Sequence, residues 1–156
     1  MLKISLVVVG DKMPGWVSQG YLEYAKRIRG HASIELVEIS AARRGKNADL
    51  LRIARDEEKK ILAAVADCNR VIALDRAGQN WSTMILANKM QAWIDTSEHV
   101  SLVVGGPEGL SAQFIAQADE VWSLSELTFA HPLVRVILAE QLYRCYSILE
   151  GAPYHR

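Results

Sequence analysis

The 156-residue chain predicts one α/β domain over residues 1–156, a mostly parallel sheet with helices on both faces. Three observations carry that expectation. Five short runs rich in Val, Ile and Leu alternate with five segments whose apolar residues recur at helical spacing. Two of the runs, 70–75 and 99–104, are mostly apolar, as strands covered on both faces are. Glycine and proline cluster at the joints, and no repeat, low-complexity tract or linker divides the chain.

The elements follow in order. Residues 2–9 read as a strand that ends at Gly10-Asp11-Lys12-Met13-Pro14-Gly15. From Trp16 to Ile28, the positions Val17, Tyr21, Tyr24 and Ile28 mark one face of a helix. Residues 33–39 alternate with period two, as a half-buried strand does. After a basic loop, Asn47 is the expected cap of a helix to about Asp67, with Leu50, Ala54, Ile61 and Val65 inward. A strand at 70–75 is expected to break at Ala77-Gly78-Gln79-Asn80, and Ser82 to cap a helix carrying Leu86, Met90, Trp93 and Ile94. The strand at 99–104 stops at Gly105-Gly106-Pro107-Glu108-Gly109. Ser111 then opens a short helix to about Ala118, and 120–124 form a last strand. Pro132 suits the first turn of a helix that runs to about Leu149, before Gly151 and Pro153 end it.

Composition narrows the function classes. With 18 basic and 18 acidic residues the formal net charge is zero, which disfavours avid, indiscriminate binding of nucleic acid. It leaves room for a specific folded RNA, because Arg43, Arg44 and Lys46 concentrate positive charge in one loop. No apolar run is long enough for a bilayer, and the first residues lack a signal-peptide layout, so a cytoplasmic protein without a membrane partner is expected. Cys68 and Cys145 have no Cys/His companions at ligand spacing. They read as small apolar side chains, with neither a metal site nor a disulfide.

In a parallel sheet, ligands gather beyond the carboxyl ends of the strands, so the loops after Leu74, Val104 and Leu124 draw attention. Gly105 and Gly106 allow close approach of main chain to a ligand, although a plain tight turn has the same composition. The order is neither a dinucleotide fingerprint nor a phosphate loop. In Ser123-Leu124-Ser125-Glu126-Leu127-Thr128-Phe129, the apolar residues should bury against something. That is either the core or a flat ring such as adenine. His131 precedes a helix N-terminus, where a neutral imidazole is favoured and can serve as a base or simply as a local hydrogen-bonding group. Arg135, one turn on, is expected to project toward the ligand-bearing edge. Glu140 and Arg144 form a helix pair that needs no function. The tail residues Tyr154, His155 and Arg156 are types that stack on bases and bind phosphate, unless they are only a frayed end.

Taken together, these stretches resemble the RlmH family, SPOUT-class enzymes that methylate N3 of a pseudouridine in bacterial 23S ribosomal RNA. The resemblance spans nearly the whole chain. It runs through Val9-Gly10-Asp11-Lys12-Met13-Pro14, Arg44-Gly45-Lys46-Asn47-Ala48-Asp49 and Leu74-Asp75. It continues through Gly105-Gly106-Pro107-Glu108-Gly109-Leu110-Ser111 and Trp122-Ser123-Leu124-Ser125-Glu126-Leu127-Thr128. It ends with His131-Pro132-Leu133-Val134-Arg135 and Pro153-Tyr154-His155-Arg156.

The resemblance implies a C-terminal trefoil knot, a homodimer formed around it, and S-adenosyl-L-methionine bent into the knot. Cofactor contacts would come from Leu74, Gly105 and the stretch Ser123 to Phe129, and Gly106 joins them from the loop reading above. The acceptor N3–H is a weak acid, so a positioned base is expected. His155 ranks ahead of His131 for that role, with the partner subunit as one source of the tail. Arg135, Tyr154 and Arg156 would steady the RNA. Two other classes remain open. A phospho-accepting receiver domain would use Asp75 at its strand end, but the companion acidic pair and the later Thr and Lys are missing. A ribosome-associated binding factor would keep the fold without the chemistry.

Overall fold

Every position of Leu2–Val9 (β1) is buried except Lys3, because this strand is flanked on both sides within the sheet and covered on both faces. The computed structural model describes residues 1–43, 45–47 and 49–155, the last of these by its backbone alone. Along the chain follow α1 (Gly15–Ala25), β2 (Ala32–Ile39), α2 (Leu50–Ala64), β3 (Arg70–Asn80), α3 (Thr83–Asp95) and β4 (His99–Val104). Then come α4 (Ala112–Gln117), β5 (Glu120–Ser123), α5 (His131–Leu149) and a 3-10 turn at Pro153–His155. The strands form one parallel sheet in the order β2-β1-β4-β3-β5.

Alternation along the strands divides the interior in two. Leu2, Ile4, Leu6 and Val8 face a layer built from α1, α3 and α5, with Tyr21, Met90, Leu138 and Leu142 among its buried members. Val7, Val9 and Val103 face the smaller layer of α2 and α4, meeting Ile61, Val65 and Phe114. Helix α5 runs through the larger layer and carries buried side chains from Arg135 to Ser147. It packs against both α1 and α3.

The structure corrects three local expectations. Helix α2 is capped by Asp49, whose Oδ1 accepts from Arg52 N at 3.2 Å, so Asn47 lies before the helix. Starting two residues later turns Ile53, Glu57, Ile61 and Val65 inward, while Leu50 is 51% exposed. Strand β3 does not end at Asp75. Leu74 and Gln79 both pair with Trp122 of β5, so 75–78 bulge out and pairing resumes at 79–80. Gly78 permits this, since a Cβ there would stand 2.7 Å from the Val121 carbonyl. Ser82 and Ser111 cap α3 and α4 as the sequence predicts.

Candidate active site

The order of the sheet places the loops after β4 and β5 on either side of the β3 bulge, all at the carboxyl ends of their strands. Between them opens a cleft of about 600 Å3, within the usual range for small-molecule sites. Leu74, Val104, Trp122, Leu124, Phe129 and Val134 make its walls largely apolar, while Asp75, Arg76 and Glu108 bring charge to it.

The wall after β4 is built from main chain. Gly109, at φ +74°, donates its N–H to the Gly106 carbonyl at 2.8 Å and closes a tight turn. Gly105 has no room for a side chain, because a Cβ would lie 2.6 Å from the Gly109 carbonyl carbon and 2.8 Å from Leu110 N. The opposite wall is pinned by two short side chains. Ser123 Oγ donates to the Ser125 carbonyl at 3.0 Å, and Leu127 N–H donates to Ser125 Oγ at 3.0 Å. From the bulge, the Arg76 guanidinium reaches across and donates to Thr128 Oγ1. Asp75 Oδ2 accepts from Ala77 N at 2.9 Å, which fixes the carboxylate at the start of the bulge.

Most of the expected cofactor residues meet here. Leu74, Gly105 and Gly106 line one part of the cleft, and Leu124, Ser125, Leu127, Thr128 and Phe129 another. Ser123 is buried and braces the loop from behind, and Glu126 points to solvent off the cleft. Leu127 departs from the expectation that it buries: among the described residues it is 70% exposed at the rim. Sequence reasoning missed Arg76, Trp122 and Val134, and weighed Asp75 only as a phospho-acceptor. The bulge that presents Asp75 and Arg76 was read as the end of a strand. Trp122 is buried and stacked on Trp81, with ring centroids 4.8 Å apart, and its Nε1 has no partner among the described residues.

His131 and Arg135 are placed elsewhere. His131 begins α5, and its Nε2 lies 2.5 Å from the Val9 carbonyl, a contact that requires this nitrogen to carry its proton and donate. Arg135 does not project to the cleft. It is 3% exposed, donates to Glu38 Oε2 at 2.9 Å and to the Gly10 carbonyl at 3.0 Å, and so ties α5 to the end of β1. Tyr154 folds back on α5, its hydroxyl donating to Glu140 Oε1 at 3.2 Å and its ring beside Tyr143. Partial burial, and then the Glu140 charge, push its phenol up to about 12. Glu140 also accepts from Arg144 at 2.9 Å, the helix pair expected from sequence. Arg43 and Lys46 are exposed. Arg44, Arg156 and the side chain of His155 lie outside the described residues.

With this geometry in hand, likeness to known proteins is informative. A family profile described as "Predicted SPOUT methyltransferase" matches residues 2–155. A "Ribosomal RNA large subunit methyltransferase H" of Thioalkalivibrio sulfidiphilus is 51% identical over 155 residues, 99% of each chain. A relative of the same name from Alkalilimnicola ehrlichii is 50% identical with the same coverage. The solved structure of a probable methyltransferase from Bordetella pertussis Tohama I superposes with a TM-score of 0.60. It covers 91% of this chain and 95% of that one at 15% identity, a likeness of fold alone.

Proposed function

This chain belongs to the SPOUT methyltransferase family, and from that premise we propose that its cleft holds S-adenosyl-L-methionine for methyl transfer to N3 of a pseudouridine. It is a ribosomal RNA methyltransferase, given full-length identity of about one half with two large-subunit enzymes of that kind. The proposal adds the donor, the base and the division of labour among residues. One observation carries it: the cleft forms where the glycine turn after β4 meets the loop after β5, the two stretches independently read as ligand-bearing.

The lining fits such a donor. Leu124, Phe129 and Leu74 offer apolar surface to an adenine ring, and the main chain of 105–106, 124–125 and 127–128 offers polar groups to its edge. When bound, the cofactor supplies a methyl group on a sulfonium, taken by the acceptor nitrogen in line. The chain's own residues must orient the acceptor and remove its proton. His131 Nε2 is engaged with the Val9 carbonyl, which leaves His155 as the preferred base. His131 and Arg135 hold α5 against the end of β1 and act as positioning residues. Arg43, Arg44, Lys46, Tyr154 and Arg156 contact the RNA, and the target base is unstacked to present N3.

Two further parts of the proposal concern assembly. The chain works as a homodimer whose partner covers Leu127 and brings a tail to the cleft. Helix α5 is threaded through a C-terminal trefoil knot. It acts in the cytoplasm on ribosomes, and no helix among the described residues is long and apolar enough to cross a membrane. A ribosome-associated factor without chemistry would have no need of an open cleft of this size. The test is transfer of tritium from labelled S-adenosyl-L-methionine into ribosomes or large-subunit RNA from a strain lacking the enzyme. Incorporation at one pseudouridine is expected. No incorporation into either substrate rejects the proposal.

A further inference from the structure

From the β3 bulge Asp75 and Arg76 both reach the cleft, where the Arg76 guanidinium donates to Thr128. Asp75 sits at the head of the β3 bulge and accepts from Ala77 N at 2.9 Å, with no ion pair to any described residue. Beside it in the cleft stand the apolar Leu74, Trp122 and Leu124 as well as Arg76. Low-dielectric walls concentrate the field of a charge that they surround. The Asp75 carboxylate therefore sets a local negative potential at the bulge side of the cleft.

We propose that Asp75 is a specificity-determining residue that reads the charge of the ligand, so that the cleft holds a sulfonium donor more tightly than the thioether left after transfer. This rests on the donor reading above and deepens it. Donor and spent product differ by one methyl and one positive charge. They share the adenosine, the amino group and the carboxylate, so contacts to those parts cannot tell them apart. Discrimination must read the methyl or the charge, and Asp75 is a carboxylate that the bulge holds in the cleft without an ion pair to any described residue. The consequence is release of product against continued capture of donor, with no change of fold between the two.

Calorimetric titration of the full chain with three ligands tests this. They are S-adenosyl-L-methionine, S-adenosyl-L-homocysteine and sinefungin, which carries an ammonium near the sulfonium position. Asp75→Asn keeps an oxygen acceptor for Ala77 N, so the bulge should survive, and an unchanged Tm checks that it does. The wild type is expected to bind the two cationic ligands several-fold more tightly than the thioether. The variant should lose about five- to tenfold for both cations and less than about twofold for the thioether. Equal weakening for all three would overturn the proposal and make Asp75 a contact to the shared parts. So would a wild type without preference. Binding of none of the three would instead remove the donor reading itself, and the charge reading with it.

Discussion

The two ends of the sheet are built on opposite plans. At the amino ends of β3, β4 and β5, charged side chains close on one another. Arg70 Nε donates to Glu98 at 2.8 Å and its Nη1 lies 3.6 Å from Glu120, which also pairs with Lys89 at 2.5 Å. Nearby, Ser5 Oγ donates to Glu35 at 2.8 Å and lies 2.8 Å from His99 Nε2. At the carboxyl ends of the same strands, the chain instead leaves glycine turns, a bulge and an open cleft. One rim is satisfied by its own side chains. The other opens onto a cleft and holds Asp75 there without an ion pair to any described residue. A rim that completes itself contributes stability, and a rim that does not is where binding is to be sought.

The sharpest way to break this contrast is at the tail. His155→Ala is expected to lower turnover by about 100-fold or more while leaving donor affinity within about twofold, as suits a general base. Equal loss in both, measured by single-turnover transfer and calorimetry, would put His155 in the binding site instead. Next in size, Gly105→Ala drives a Cβ into the Gly109 main chain and should weaken donor binding by about tenfold or more. Quenching of the buried Trp122, which lines the cleft, offers a direct readout.

The opposite rim should respond in stability alone. Glu98→Gln removes a two-point contact with Arg70 and is expected to cost about 1 kcal/mol, or about 2–4 °C in Tm, with donor affinity unchanged. A change in affinity would show that the two rims are coupled. Acid should act on the same rim. Glu98 is held below its usual carboxyl range chiefly by the Arg70 hydrogen bonds, and Glu35 chiefly by the Ser5 hydroxyl. Because the folded pKa values are depressed, their stabilisation is fully present above the ordinary value of 4.5. It is lost as pH falls through the lower folded values. Denaturant melts below pH 4.5 should show that decline, shallower in Glu98→Gln. The smallest effect concerns the thiols. Burial pushes Cys145 up to about 12 and raises Cys68 as well, so both should alkylate slowly at pH 8 until the chain unfolds.

Much of this was legible in the sequence because the signals were strong and local. Ser82 and Ser111 announce helices through their hydroxyls, and the mostly apolar strands 70–75 and 99–104 announce a sheet covered on both faces. The cleft was legible through Gly105, Gly106 and the odd apolar loop 124–129. What escaped depends on distant partners. Nothing near Asp75 in the chain says that Gln79 will pair again with Trp122 and so turn a strand end into a bulge. By position Arg135 is expected to project toward the ligand-bearing edge, yet Glu38 and the Gly10 carbonyl, about 100 residues earlier, draw it inward. Helix α2 was misphased by capping chemistry, since Asn47 and Asp49 are both competent and only the fold selects Asp49.

The bulge in β3 has a consequence of its own. Residues 75–78 leave and rejoin the sheet at a single station, Trp122, so the strands on either side constrain the excursion at Gly78 and leave 75–77 to vary. Such a segment is a natural socket: its length and polarity can be rewritten while the edge strand keeps its seat. Swapping residues 75–77 for another set, with Gly78 kept, should therefore change what the cleft prefers long before it disturbs how the chain folds.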